Sequence, residues 1–372
     1  MKKISVPYNY LPYEFKNNLK IFSEWKKLIK TTDFTLGHKI DQFEKRFSKY
    51  IGAKFVVSTN NGTDALILSL KAIGIKKGDE VVTVANSFYA TVGAIVACGA
   101  TPVLIDADDR YQISINEIEK HITKKTKAII PVHWCGASPE MEKIVKIAEK
   151  NKIKIVEDAC MGIGAKVNGK HPGTFGDVNA FSMHPLKSLN VMGDGGAVAT
   201  NSKKIYEWMK KYRNHGMINR DHIDFWGVNL RMQPLQAVVA IEGIKKLNKV
   251  IKIRNKNAKF LDTELQKLKQ FVKIPNRIKG HVETFALYMA LFKKRDKLIK
   301  FLKKNSIEAK IHYPIPLNQQ KPFKKNNQKK ISFKKINYQA NHLITLPVHQ
   351  YLKKYQLKFM IKKIKEFYSI EI

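Results

Sequence analysis

The sequence predicts an α/β fold: a mainly parallel central sheet flanked by helices over residues 1–250, then a smaller α+β domain over residues 251–372. Three observations predict it. Short apolar segments that read as strands alternate with amphipathic helical segments, the pattern of parallel strands joined by crossover helices and covered on both faces. A chain of 372 residues is long enough for two domains. Beyond about residue 250 the character shifts to lysine-rich helical segments with shorter strand segments, such as Glu283–Ala290.

The elements follow in order. Residues 1–30 form a lead segment with a helix around Glu24–Ile29, and Thr35-Leu36-Gly37 precedes a helix with Ile40, Phe43 and Phe47 on one face. From Val56 a short strand turns through Asn60-Asn61-Gly62-Thr63 into a helix with Leu66, Leu70 and Ile73 on one face. Glu80–Val84 is a strand, and Phe88 and Tyr89 fall where it hands over to a helix through Ile95 and Val96. Thr101–Asp106 is a strand followed by a helix over Ser114–His121. Lys127–Trp134, with His133 near its end, is another strand, and Met141–Asn151 is its crossover helix. Lys154–Cys160 is an apolar strand that ends in Glu157 and Asp158. The stretch 174–200 then reads as strand (Val178–Met183), break at His184-Pro185, tight loop with Lys187, glycine turn (Gly193–Gly196) and strand (Ala197–Thr200). A long helix from Gln233 carries Leu235, Val238, Val239 and Ile244, His312–Pro316 is a turn-rich loop, and 318–335 is expected to be a mobile loop.

Three of these segments carry chemistry. Free backbone N–H groups at the helix start after Asn61, with the Thr63 hydroxyl, suit a phosphate dianion. Asp158 closes a buried strand, where ligands bind in open α/β sheets. A lysine held in a tight loop can lose its charge by desolvation and become nucleophilic toward a carbonyl. Taken alone, Lys187 reads as one solvated loop lysine among 68 Lys+Arg. Taken together, a phosphate cradle, a strand-end aspartate and a loop lysine are the parts that hold pyridoxal phosphate. Phe88 is placed to stack on a flat ring or to pack in the core; His133 is open between lying over a ligand and packing.

In these motifs, and above all in their order and spacing, the chain resembles the DegT/DnrJ/EryC-type sugar aminotransferases, which are fold-type I pyridoxal-phosphate enzymes. The likeness runs from Thr35 to about Ala240 and continues more loosely beyond. It implies pyridoxal 5'-phosphate as cofactor and Lys187 as the catalytic, Schiff-base lysine. It implies Gly62, Thr63 and Ser182 around the phosphate, Phe88 on the ring and Asp158 on the pyridinium nitrogen. Asn229 is implied to reach the cofactor phosphate of a partner subunit, so the active sites of a homodimer are shared. Thr35, His184, Arg231, His312 and Tyr313 are candidate substrate residues. For these, plainer roles stand beside that one: helix entry for Thr35, a turn for His184 and a structural arginine for Arg231, whose other task is the donor's carboxylate. The implied reaction moves an amino group from an amino acid, most often L-glutamate in the family, to a nucleotide-linked 3- or 4-keto deoxysugar, for glycan or amino-sugar biosynthesis. Related dehydratases carry histidine in place of the lysine. One departure is Met161, which stands where the family has a glutamine that contacts the cofactor's ring oxygen.

Composition bounds the alternatives. No stretch reaches 18 uncharged apolar residues, so no membrane span is expected. The opening MKKISVPYNYLPYEFKNN lacks a continuous apolar core and does not read as a signal peptide. Cys98, Cys135 and Cys160 are widely spaced, which suits reduced cytoplasmic thiols rather than a disulfide framework or a metal site. The net charge of +37 is carried by dispersed lysines with no aromatic-interleaved module, so solvated faces are expected and nucleic acid is not an expected partner. The rivals are a dehydratase of the same fold, a non-catalytic regulatory relative and a basic nucleic-acid-binding protein, the last demanding a steep salt dependence.

Overall fold

The computed structural model describes residues 5–325 and 332–370. The chain opens with α1 (Leu11–Glu14), α2 (Leu19–Thr31) and α3 (Gly37–Ile51), then β1 (Phe55–Thr59), α4 (Gly62–Ala72), β2 (Glu80–Val84), α5 (Tyr89–Ala97) and β3 (Thr101–Ile105). It continues through α6 (Ile115–Ile118), β4 (Thr126–Ile130), α7 (Met141–Lys150), β5 (Lys154–Asp158), β6 (Lys166–Val167), β7 (Val178–Ser182), β8 (Gly196–Thr200) and α8 (Lys203–Tyr212). The second part comprises α9 (Pro234–Gln266), β9 (Val272–Lys273), β10 (His281–Val282), β11 (Tyr288–Phe292), α10 (Arg295–Lys304), α11 (Lys321–Lys325), α12 (Lys334–His342), β12 (Leu343–Leu346) and α13 (Lys354–Ile370).

Seven strands form the central sheet in the order β1-β8-β7-β5-β4-β2-β3. β8 runs antiparallel to both neighbours, and the other adjacent pairs are parallel. The period-2 alternation of a strand decides which layer each side chain joins. Val57, Val178, Ala180 and Val198 meet the α4 side with Leu66 and Leu70. Val56, Phe181, Ala197 and Ala199 meet Phe43, Phe47 and Val239, on the side of α3 and α9. The sheet is therefore buried on both faces, as the near-continuous apolar strands require.

A second core joins Ala258, Leu261 and Leu265 of α9 to the three-stranded sheet β12-β11-β9 and to α10 and α13. α9 runs unbroken through residue 250, so one helix serves both cores. Val6 also belongs to the second core, through its N–H to Ser306 O at 2.9 Å and its carbonyl to Glu308 N at 3.0 Å.

Several expectations need correction. The helix over Glu24–Ile29 is the middle of the longer α2. The strand expected from Glu283 begins at Tyr288, because Glu283 and Thr284 are instead taken up in polar contacts with Arg277 and with the Met161 carbonyl. Within the expected mobile loop 318–335, residues 326–331 lie outside the described residues, and the flanks are helical, in α11 and α12.

One polar knot sits inside the sheet. Glu157 is fully buried and accepts hydrogen bonds from His133 Nε2 (2.7 Å), Gly173 N (2.8 Å), Phe175 N (2.6 Å) and Gly176 N (2.7 Å). Burial pushes its carboxyl up, but the hydrogen bonds and charge of His133 and the backbone donors outweigh that and hold it below the usual carboxylate range. A depressed carboxylate contributes stability above its unfolded pKa of about 4.3 and loses it as pH falls through the lower folded value. Glu157→Gln is expected to cost on the order of 3 kcal/mol in urea unfolding at pH 7 and to flatten the acid limb of the stability–pH curve. An unchanged limb would assign that limb to other carboxylates.

Candidate active site

The functional side chains converge because three strand ends meet at one edge of the sheet. Gly196 pairs with both Thr59 and Ser182, which brings the end of β1 beside the β7–β8 loop. Asp158 pairs with Ala180, one strand over. A cavity of about 610 Å³ opens there, lined by Gly62, Thr63, Phe88, Asp158, Ser182, His184, Lys187, His312 and Tyr313 among others. Nine of the twelve residues singled out from the sequence thus share one cavity.

The turn before α4 reaches the β7 and β8 ends because two positions lack a side chain. A Cβ on Gly62 would stand 2.6 Å from Ser182 Cβ, and one on Gly196 would stand 2.3 Å from the Asn61 carbonyl oxygen. At the helix start the Asn61 side chain accepts from Asp64 N at 2.8 Å, and the Gly62–Thr63 backbone and Ser182 line the cavity. This is a cradle of neutral donors at a helix N-terminus, suited to a dianion.

Asp158 is almost fully buried at the end of β5. Thr91 Oγ1 donates to Oδ2 at 2.7 Å and Cys160 N to Oδ1 at 3.2 Å, which fixes the carboxylate's direction. Lys187 lies in the β7–β8 loop, with its N–H on the His184 carbonyl at 2.8 Å and its own carbonyl accepting from Tyr10 OH at 2.9 Å. Burial lowers its ammonium pKa below the usual lysine range, and the Cys160 and Asp158 groups offset this only in part. Burial also raises the Cys160 thiol well above its ordinary value, so it stays neutral beside the lysine. Phe88 caps α5 half exposed, with its ring centroid 6.0 Å from that of Tyr313. The His312 ring is pushed down to about 4, first by burial and then by Lys187, and its Nδ1 meets Thr345 Oγ1 at 2.9 Å.

Three expected residues lie elsewhere. Thr35 is exposed at the entry to α3, outside the cavity, in a turn that Asp33 closes by accepting from His38 N at 3.1 Å. Arg231 is also outside, its Nη1 donating to Asn214 Oδ1 at 2.6 Å. Asn229 is exposed and accepts from Arg231 N at 3.2 Å. His133 packs against Glu157 and Ser138 and lies outside the cavity lining. Met161 lines the cavity, and its carbonyl accepts from Thr284 Oγ1 at 2.8 Å.

Sequence reasoning missed Tyr8, Tyr10, Asp194, Arg254 and His349, which also line the cavity. Asp194 sits in the glycine turn and could have been found there. The other four come from the N-terminal segment, mid-helix α9 and the loop after β12, with no local pattern to mark them.

A model of the DegT/DnrJ/EryC1/StrS aminotransferase family matches residues 17–365. The chain belongs to this family. It is 33% identical over 336 residues to the dTDP-3-amino-3,6-dideoxy-alpha-D-galactopyranose transaminase of Aneurinibacillus thermoaerophilus, covering 90% of this chain and 91% of the relative. It is 34% identical over 344 residues to the pleiotropic regulatory protein of Geobacillus stearothermophilus, covering 92% of each. Among solved structures, DesV of S. venezuelae in complex with a ketimine intermediate superposes with a TM-score of 0.94 at 28% identity over 98% of both chains. An aminotransferase of this family from Brucella abortus gives 0.92 at 29% identity, over 97% of this chain and 99% of that one.

Pyridoxal phosphate is the cofactor of this aminotransferase family, and the residues present fit it. The Gly62 cradle, which a Cβ would fill, leaves room for a phosphate; Asp158 is a buried acceptor for the pyridine nitrogen; Lys187 is the amine. Gly62→Ala is expected to weaken cofactor binding about 10- to 100-fold, since overpacking by one methyl costs roughly 1–3 kcal/mol. Titration of the apoprotein with pyridoxal phosphate checks this; unchanged affinity would mean that the cradle relaxes.

Proposed function

We propose that this aminotransferase moves an amino group from L-glutamate to a nucleotide-linked 3- or 4-keto deoxysugar, for glycan or amino-sugar biosynthesis. The observation that carries it is the meeting of Lys187, Asp158 and the Gly62–Thr63–Ser182 cradle on one cavity of about 610 Å³. Relatives named for dTDP- and UDP-linked amino sugars support the substrate class.

Bound pyridoxal phosphate supplies an electron sink for the carbon next to the transferred nitrogen. Asp158, held by Thr91 and the Cys160 N–H, keeps a negative charge at the pyridine nitrogen. Gly62, Thr63 and Ser182 would anchor the phosphate end, and Phe88 would lie against the ring. Lys187 Nζ would take the proton from the donor's Cα and return it to the carbon on the other side of the transferred nitrogen, a task that its lowered pKa favours. His312, His184 and Tyr313 face the cavity where the sugar would lie.

The active unit in this proposal is a homodimer in the cytoplasm, with Asn229 turned away from its own cavity toward the partner's. Its exposure, and that of Trp226 and Val228 beside it, supports this. No helix among the described residues is long and apolar enough to cross a membrane. The likeness to a pleiotropic regulatory protein supports a second reading, a regulatory relative that binds cofactor without exchanging its amine.

Visible absorbance of the protein loaded with pyridoxal phosphate, before and after L-glutamate, separates these. The expected result is a yellow band that bleaches; a band that stays sinks the glutamate half-reaction, and no band sinks the cofactor role. Lys187→Ala is expected to abolish both band and turnover. Asp158→Asn is expected to slow turnover by a factor on the order of 100 or more while leaving the fold intact. Because burial favours the uncharged amine, the rate is expected to rise with pH through a midpoint well below the ~10.4 of free lysine. A midpoint at the free value would remove Lys187 as the base.

A further inference from the structure

We propose that Arg254 is the residue that receives the carboxylate of the amino donor. The inference rests on the aminotransferase reading above and names the counter-charge of a buried cation that has no carboxylate partner among the described residues.

Arg254 sits in the middle of α9, is 1% exposed and lines the cavity. Its Nε donates to Gln350 Oε1 at 2.9 Å, and its Nη1 has only a long contact to the Phe285 carbonyl at 3.4 Å. Nη2 is buried with no hydrogen-bond partner. The other three arginines in this burial class among the described residues each face a carboxylate: Arg110 faces Glu283 at 3.5 Å, Arg295 faces Asp296 at 2.6 Å, and Arg213 faces Glu44. Arg254 has none. A carboxylate is linked to it only through a relay: Gln350 accepts from Arg254 and donates to Glu14 Oε2 at 2.7 Å, which orients the amide and leaves the guanidinium without a directly bonded carboxylate.

A buried cation without a counter-charge is costly, and a planar guanidinium with a free edge is the natural partner of a carboxylate. The charged groups around the cavity leave one task open. The acidic side chains lining it are Asp64, Asp158 and Asp194, and the basic ones besides histidine are Lys187 and Arg254. Lys187 is committed to the cofactor and the phosphate end to neutral donors, so among the chain's own groups lining this space Arg254 is the fixed positive charge left for an entering carboxylate. That charge is near the chemistry: the guanidinium lies 5.2 Å from the Tyr10 ring centroid, and Tyr10 OH donates to the Lys187 carbonyl. His349 and His312 do not compete, since burial holds both rings down to about 4 and leaves them neutral at pH 7. Arg231, the arginine whose sequence position suggested this task, is tied to Asn214 outside the cavity.

The test uses the loaded wild type, Arg254→Gln and Arg254→Lys, with glutarate as an unreactive carboxylate probe, L-glutamate as the reacting donor and UDP as a phosphate probe. Calorimetry is expected to show glutarate binding weakened about 10- to 100-fold in R254Q and less in R254K, with the L-glutamate bleach shifted in parallel and UDP affinity unchanged. Glutarate is expected to raise the melting temperature of the wild type but not of R254Q. Equal glutarate affinity in wild type and R254Q overturns the assignment, as does a loss confined to UDP. If R254Q does not fold, R254K decides: a lower melting temperature with unchanged glutarate affinity marks a structural arginine and overturns the proposal. A wild type that binds glutarate through Arg254 yet fails to bleach with amino acids removes the aminotransferase reading and keeps the carboxylate site. A wild type that bleaches while R254Q bleaches equally well removes the Arg254 assignment alone.

Discussion

The buried carboxylate of Glu157 is the contact on which the geometry of the cavity depends. It is adjacent to Asp158 on one strand, so the two side chains leave the strand on opposite faces. Glu157 gathers His133 and three backbone N–H groups of the 173–176 turn into the interior, and that turn feeds β7. Asp158 is thereby presented to the cavity, with Thr91 and the Cys160 N–H as its partners. One carboxylate is spent on architecture and its neighbour is left for chemistry. An acidic pair at the end of a buried strand has this division built into its alternation.

The same edge shows why close approach matters more than charge for the phosphate end. The Asn61–Gly62 turn presses on Ser182 and Gly196 at distances that no side chain tolerates. Gly62 and the hydroxyl-bearing Thr63 and Ser182 then line the cavity, and a dianion bound there needs no lysine. This leaves Lys187 free of electrostatic duty. Its amine, surrounded by cavity walls and a neutral thiol, is tuned by burial more than by the Asp158 charge nearby.

Much of the fold was legible because its signals are local. The strands of the central sheet, the turn into α4 and the β7–β8 loop are each encoded within a few residues, so Gly62, Thr63, Asp158 and Lys187 could be picked out and line one cavity, joined by Ser182, which only the family resemblance marked. What was illegible is long-range. Tyr8 and Tyr10 reach the cavity from the far N-terminus, and Arg254 reaches it from mid-helix, where a lysine-rich composition suggested a domain change rather than a continuous α9. Arg231 lies outside its own chain's cavity, held by Asn214. Glu283 resembled the start of a strand, but its carboxylate serves Arg277 and Arg110 instead.

The excess behind the +37 balance does not lie in the cavity. The charged groups lining the cavity are three aspartates against one lysine and one arginine. Several lysines elsewhere are exposed and met by glutamates three residues earlier, as in Glu24–Lys27, Glu242–Lys245 and Glu264–Lys267. Pairs of that kind contribute at most a few tenths of a kcal/mol and serve solvation. The surface charge therefore sets solubility and long-range attraction, while recognition inside the cavity rests on its few buried groups. Among these, Arg254 is the one cation whose free edge the fold has not already used.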